Sequence, residues 1–212
     1  PGADGVWDEG TEYVKIEATL AVAALTERNG MSSPTVADLD GNGTADRVYM
    51  GDLLGNLWAF DLTGSDPTGW DVAERVDNGD GTTTLLWTYT TNGQVHSSPA
   101  LWENFQVYFG SDDGRLYCVN TDGDFVWARH TDGFVRCSPA VADQKVYFTA
   151  RGNDFDLYCL EADDGAEVWV DGTRNYGECS PALWDGKLYV GNLDDELLCF
   201  ADTMSGSSTT MS

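Results

Sequence analysis

The sequence predicts an all-β fold. It reads as β-propeller blades of four antiparallel strands, about four to five of them, forming an incomplete ring or open array. Three observations predict this. The chain repeats itself with a period near forty residues, each unit breaks into short strands separated by Gly and Asp turns, and no unit holds a ten-residue stretch with helical periodicity.

The repeat is visible by aligning the chain with itself. SSPTVADLDGNGTADRVYMGDLLGNLWAFDL (32–62) is followed by SSPALWENFQVYFGSDDGRLYCVNTDGDFVW (97–127). Then come CSPAVADQKVYFTARGNDFDLYCLEADDGAEVWV (137–170) and CSPALWDGKLYVGNLDDELLCFAD (179–202). Pro99, Pro139 and Pro181 stand 40 and 42 residues apart, as do Trp87, Trp127 and Trp169. Pro34 precedes Pro99 by 65, because the first unit carries an acidic loop and a polar insertion around 64–84. Within RLYCVN, strand alternation puts Leu116, Cys118 and Asn120 on one face and Tyr117 and Val119 on the other. A blade cannot bury both faces alone, so neighbouring blades must stack on it.

These units organise the chain as one propeller-like domain over 1–202. It comprises a partial blade at 1–30 (EYVKIEA is strand-like), a loop-bearing blade with its insertion at 31–86, and repeat blades at 87–202. The Ser/Thr-rich residues 203–212 read as a flexible tail. A start at Pro1 reads as a mature, processed or excised piece.

The three later units resemble the PQQ-like, quinoprotein-type propeller repeat, with its S-S-P-A-V, V-Y-V-G-S, D-G-x-L-Y-A-L-D and G-x-x-x-W segments. The first unit looks more like the C-terminal propeller of the PilY-type pilus-biogenesis and tip-adhesin family. The residues that carry this likeness are Asn29-Gly30, Ser32-Ser33-Pro34, the loop at 38–46, Tyr49, Gly51-Asp52 and GNLWAFDL at 55–62. The resemblance implies a pilus-associated surface protein. Propellers of this type close with about seven or eight blades, more than the sequence displays. Open ends expose apolar faces and unpaired strand edges, which predicts self-association into an oligomer or filament, through residues 1–30 or the 179–202 unit, or docking on other pilus or surface proteins.

Composition narrows the partners. Eleven Lys and Arg stand against 36 Asp and Glu, a formal charge of −25 that repels phosphate backbones, so nucleic acid is not an expected partner. The acidity serves solubility, or a surface that recruits divalent cations. The longest apolar run, LAVAAL at 20–25, falls far short of the ~20 residues of a membrane span. No signal-peptide pattern is present.

The segment DLDGNGTAD (38–46) is the sharpest local feature. Asp38, Asp40, Asn42 and Asp46 place oxygens at positions 1, 3, 5 and 9, Gly43 supplies a sharp turn at 6, and Thr44 offers its carbonyl at 7. Hard oxygen ligands at this spacing suit calcium, and magnesium, which keeps more of its waters, suits it less. Position 12 is Tyr49 rather than Glu, and the flanks are strand-like, so this is a β-hairpin calcium loop and not an EF-hand. Asn42-Gly43-Thr44 is also a glycosylation sequon. The acidic turns at 77–81, 112–114 and 163–165 read as ordinary β-turns, and His96 and His130 lack partners at metal-ligand spacing.

The five cysteines occupy two repeat positions. Cys118, Cys159 and Cys199 follow L-[YL], and Cys137 and Cys179 precede S-P-A. That regularity suggests Cys118–Cys137 and Cys159–Cys179 disulfides, closing loops of 19 and 20 residues, with Cys199 free or intermolecular. The alternative is five buried thiols packing as small hydrophobes. Disulfides would imply an oxidising compartment.

The sequence thus reads as an extracellular or cell-surface, calcium-binding propeller scaffold or adhesin and not an enzyme. A quinone-dependent dehydrogenase, or a degenerate relative, is one alternative. A propeller scaffold for outer-membrane assembly is another.

Overall fold

A computed structural model describes residues 32–62, 84–102, 106–152, 155–202 and 207–211. The described residues form four antiparallel sheets of four strands each, and they contain no helix. Blade 1 is β1 (Thr35–Ala37), β2 (Arg47–Gly51), β3 (Asn56–Asp61) and β4 (Thr84–Thr90). Blade 2 is β5 (Ala100–Trp102), β6 (Gln106–Ser111), β7 (Arg115–Asn120) and β8 (Phe125–His130). Blade 3 is β9 (Ala140–Ala142), β10 (Lys145–Thr149), β11 (Leu157–Glu161) and β12 (Glu167–Asp171). Blade 4 is β13 (Ala182–Trp184), β14 (Lys187–Gly191), β15 (Leu197–Asp202) and β16 (Ser207–Met211). In each blade the strands pair in sequence order, so every connection is a hairpin.

The first strands lie side by side, β1 on β5, β5 on β9 and β9 on β13, which puts them innermost. Among the described residues β1 and β13 do not meet, so the array is open.

Cores form between blades. Tyr49, Leu57 and Ala59 of blade 1 pack with Val107, Phe109, Tyr117 and Val119 of blade 2. On the other side of blade 2, Tyr108, Leu116 and Cys118 pack with Val146, Phe148, Tyr158 and Leu160 of blade 3. Leu116 and Cys118 thus face one neighbouring blade and Tyr117 and Val119 the other, the division of faces expected from alternation along RLYCVN. The third junction joins Tyr147, Leu157 and Cys159 to Leu188, Val190, Leu198 and Phe200.

One row of side chains recurs in the first three blades. Tyr49, Ala59 and Trp87 face one another across β2, β3 and β4. Tyr108, Cys118 and Trp127 do so in blade 2, and Tyr147, Cys159 and Trp169 in blade 3. The two rings of each row meet over the small middle residue, with centroids 5.8, 5.9 and 6.1 Å apart. Aromatic pairs favour such tilted contacts. Trp87, Trp127 and Trp169 are thus packing residues of the outermost strand.

Two expected boundaries are corrected. The division between residues 86 and 87 falls inside β4, because Trp87 ends blade 1 instead of opening the next unit. Residues 203–212 are not a flexible tail throughout: Ser207–Met211 form β16 and pair with β15. The reason is that β15 would otherwise present an unpaired edge, and the β-branched pair Thr209-Thr210 suits a strand. The partial blade expected at 1–30 and the insertion at 64–84 lie outside the described residues, apart from Thr84 at the start of β4.

Candidate metal centre

The acidic segment is the connection between β1 and β2. These strands pair Thr35 with Tyr49, Val36 with Val48 and Ala37 with Arg47, and the amide of Asp46 donates to the Ala37 carbonyl at 2.7 Å to close the base. Gly41 and Gly43 take positive φ values of 72° and 83°, which L side chains rarely adopt. The loop can turn this tightly because both positions are glycine.

Loop amides aim the carboxylates inward. Asp38 accepts from the amides of Gly43 at 2.7 Å, Gly41 at 2.8 Å and Asn42 at 3.2 Å. Asp46 accepts from the amides of Leu39 at 2.6 Å and Asp40 at 3.3 Å. The result is that Asp38, Asp40 and Asp46 each bring a carboxylate oxygen within 4.8 Å of the others. The amide donated by Gly43, with help from Gly41 and Asn42, holds the Asp38 carboxyl below its ordinary value of 3.8, against a smaller opposing effect of burial.

Asn42 takes part differently from the sequence expectation. Its Nδ2 donates to Asp40 at 2.8 Å and its Oδ1 accepts the Thr44 amide at 2.7 Å. One lone pair of that oxygen remains for a cation. Three exposed carboxylates crowded on one turn repel one another, and a hard divalent cation between them offsets that repulsion. The structure brings together the carboxylates of Asp38, Asp40 and Asp46, oxygen donors of the kind a hard cation such as calcium takes.

The acidic turns at 112–114 and 163–165 are engaged by hydrogen bonds within the protein. Asp112 receives a two-pronged contact from Arg136, whose Nε and terminal nitrogen each donate at 2.7 Å. Asp164 accepts from the Ala166 amide at 2.9 Å. His96 lies 2.9 Å from Gln94 and 3.7 Å from Asp112. The turn at 77–81 lies outside the described residues.

The structure does not show the disulfides expected from the repeat, and Cys118, Cys137, Cys159 and Cys179 stand unbridged in it. Cys118 donates to Gln106 at 3.4 Å, while Cys137 accepts the Thr149 amide at 3.0 Å and donates to the Thr149 carbonyl at 3.2 Å. The physical reason is the aromatic row: Cys118 and Cys159 are the small residues beneath a Tyr–Trp pair, the place Ala59 fills in blade 1. Burial pushes the Cys118 and Cys159 thiols up to about 12 and the Cys137 thiol to about 11.

Sequence reasoning missed a charged rail on one rim. His96, Arg136 and Glu178 share the position before [SC]-S-P, and Arg136 bridges Asp112 of blade 2 to Glu178, which also holds Arg151 at 2.9 Å. The shared repeat position was the available signal.

Comparison with known proteins bears on both halves of the chain. The family model of the outer membrane protein assembly factor BamB, built on PQQ-type repeats, matches residues 71–198. The PilY1 β-propeller domain model matches residues 6–100, which include the acidic loop. The type IV pilus biogenesis factor PilY1 homolog of Xylella fastidiosa is 36% identical over 98 residues, 43% of this chain and 6% of that protein. PilY1 of Pseudomonas aeruginosa is 37% identical over 82 residues, 39% of this chain and 5% of its own length. The chain therefore corresponds to a small part of these curated relatives. Among solved structures, BamB from Moraxella catarrhalis superposes with a TM-score of 0.58 at 18% identity, covering 79% of this chain and 47% of that one. The computationally designed Ika8 protein superposes with a TM-score of 0.64 at 13% identity, covering 85% and 48%. At these identities the structural likeness shows the fold.

Proposed function

The chain belongs to the PQQ-like β-propeller family whose model is that of the outer membrane protein assembly factor BamB, and on that premise we propose that it is a calcium-stabilised, pilus-associated scaffold or adhesive surface. One observation carries the reading: the Asp38, Asp40 and Asp46 cluster lies within the segment that matches the PilY1 β-propeller domain. The protein works at the cell surface or outside the cell, and it contributes a binding surface instead of a catalytic centre. Its curated relatives are pilus biogenesis factors. No described helix is long and apolar enough to cross a membrane.

Calcium bound in the β1–β2 loop pins the inner hairpin of blade 1 and neutralises part of a strongly acidic chain. Asp38, Asp40, Asn42, the Thr44 carbonyl and Asp46 hold it. The test is thermal melting with calcium and with chelator. Because a ligand bound only to the native state stabilises it by mass action, a hundredfold excess over the dissociation constant raises Tm by roughly 5–10 °C. Asp40→Ala removes the difference. Identical melting of the wild type in both buffers overturns the calcium assignment, and failure to co-sediment with purified type IV pili overturns the pilus assignment.

A second reading, a scaffold in outer-membrane protein assembly, is favoured by the family model over residues 71–198. Binding to outer-membrane assembly proteins in place of pili selects it. The quinone-dependent dehydrogenase alternative requires a red-shifted quinone absorbance band and quinone-dependent dye reduction.

A further inference from the structure

The β6–β7 turn of blade 2 and the connection from β8 toward blade 3 enclose an opening of about 290 Å³. Asp112, Asp113 and Gly114 line one side and residues 130–134 the other. The Thr131 amide donates to the Gly114 carbonyl at 2.8 Å, and the Thr131 hydroxyl shares its proton between the Gly114 and Gly133 carbonyls at 3.1 and 2.8 Å. Gly133 lies so close to blade 3 that a Cβ there would meet the Arg151 carbonyl oxygen at 1.8 Å. A frame held in this way is preorganised, which spares a ligand the cost of ordering its site. The walls come from blade 2 and its link to blade 3, away from both ends of the array. They stand at the ends of the strands opposite the β1–β2 type of connection, which carries the acidic loop at 38–46.

Two features of this opening call for a ligand. The first is Phe134, which is 45% exposed. Its carbonyl accepts the Arg151 amide at 2.7 Å, the bond that Gln94 and Asn175 make with the Asp112 and Leu193 amides at the flanking junctions. The frame therefore works with a polar residue here, and the ring is surplus to it. The second is Asp113, whose side chain is only 5% exposed. Its Oδ2 accepts from the Tyr117 hydroxyl at 2.6 Å and the Asn92 amide at 3.1 Å, while its Oδ1 accepts no hydrogen bond among the described residues. A buried oxygen without a donor is a place where a water or a ligand belongs.

Charge decides the kind of donor. Arg136 already grips Asp112 and lies over one face of Phe134, its guanidinium carbon 4.9 Å from the ring centroid. Arg115 stands 3.8 Å from Asp113. A further cation would meet these two guanidinium groups, and an anion would meet three aspartates, the third being exposed Asp132. What the opening lacks is neutral hydrogen-bond donors beside an aromatic ring.

We propose that it binds a neutral sugar unit of a glycan, a ligand with an apolar C–H face and hydroxyls around its edge. Phe134 packs on the apolar face, and hydroxyls donate to Asp132 and, directly or through one water, to Asp113. His130, exposed at the mouth, adds a ring nitrogen as a further partner. The volume suits one sugar unit, so a monosaccharide binds in roughly the millimolar range. The site gives the adhesive surface proposed above a ligand class and rests on that reading for its biological use alone, since the binding itself depends on neither calcium nor pili.

The experiment is saturation-transfer NMR on the full chain with the common neutral hexoses, 6-deoxyhexoses and N-acetylhexosamines, and with sialic acid and spermine as charged probes. At least one neutral sugar receives saturation on its ring C–H protons, with an affinity that neither moderate salt nor chelator changes. Phe134→Gln, which installs the residue type of the preceding junction, weakens it by about tenfold, and Phe134→Trp preserves it. Asp132→Asn also weakens it. An unchanged melting temperature qualifies each variant, and Asp132→Asn, at an exposed position, carries the test if Phe134→Gln melts early. Absence of transfer to every neutral sugar overturns the proposal. Binding of spermine or sialic acid alone overturns it too, since that is a site for charge. So does undiminished sugar binding by the folded Phe134→Gln or Asp132→Asn variant, and so does loss of binding with chelator, which places the sugar on a cation elsewhere.

Discussion

Trp127 on β8 of blade 2 donates its indole N–H to the Ala162 carbonyl at 2.9 Å, and its ring lies against Gly165 in the β11–β12 turn of blade 3. Trp87 repeats this one blade earlier, donating to Thr121 at 2.8 Å and lying against Gly123. At the first two junctions one side chain thus anchors the outer edge of a blade to the next. The inner edge is held by a serine ladder, in which the amides of Ser33, Ser98 and Ser138 donate to the hydroxyls of Ser98, Ser138 and Ser180.

Gly165 is a strong test of that anchor. It sits at φ 71°, and a Cβ there would approach the Trp127 ring to 2.7 Å. Gly165→Ala combines left-handed strain with displacement of the indole and costs about 2–4 kcal/mol. Trp127→Phe costs less, about 1 kcal/mol, because the Tyr108 hydroxyl still donates to the Ala162 carbonyl at 3.1 Å. Urea unfolding of both variants checks the order.

The aromatic rows predict how the cysteines respond to substitution. Ala59 stands where Cys118 and Cys159 stand. Cys118→Ala accordingly lowers stability by only about 1 kcal/mol, the loss of one small buried group. Cys118→Leu forces the Tyr108–Trp127 pair apart and costs about 1–3 kcal/mol or more. Denaturant midpoints separate the two.

Thiol chemistry distinguishes packing from pairing. Unfolded without reductant, the protein yields five titratable thiols. In the native state half-buried Cys179 reacts before the buried Cys118, Cys137 and Cys159, whose thiolates burial disfavours. The same shifts set an alkaline limit. Their folded values lie above the unfolded 9.0, so their contribution is complete below pH 9.0 and is lost as pH rises toward about 12. Peptide mapping of unreduced protein and Tm measured from neutral to alkaline pH read these outcomes.

Acid acts on the acidic loop at 38–46 in the opposite sense. The folded Asp38 carboxyl titrates below its ordinary 3.8, so its contribution is present above that value and lost as pH falls below it. Under the proposed calcium assignment, a rise in Tm with calcium is expected from neutral pH down to about 4 and is lost below it. Melting curves with calcium and chelator across this range test it.

The sequence by itself determined the repeat, the strand periodicity and the crowding of carboxylates at 38–46. These are local properties: period-2 alternation assigns Leu116 and Cys118 to one neighbour and Tyr117 and Val119 to the other, whatever the rest of the chain does. The tight spacing of Asp38, Asp40 and Asp46 likewise leaves a hairpin loop little choice but to gather them. The tertiary structure alone decided what depends on distances between blades. Two recurring repeat positions made Cys118 and Cys137 look like partners, yet each sulfur hydrogen-bonds within its own blade. The Ser/Thr run after residue 202 looked like a tail until β15 offered an edge to pair with. The serine ladder was written in the motif as a recurring Ser, but only stacking the blades brings each amide to the next hydroxyl. Repetition in sequence dictates what each blade presents, and the rotation between blades decides what those groups meet.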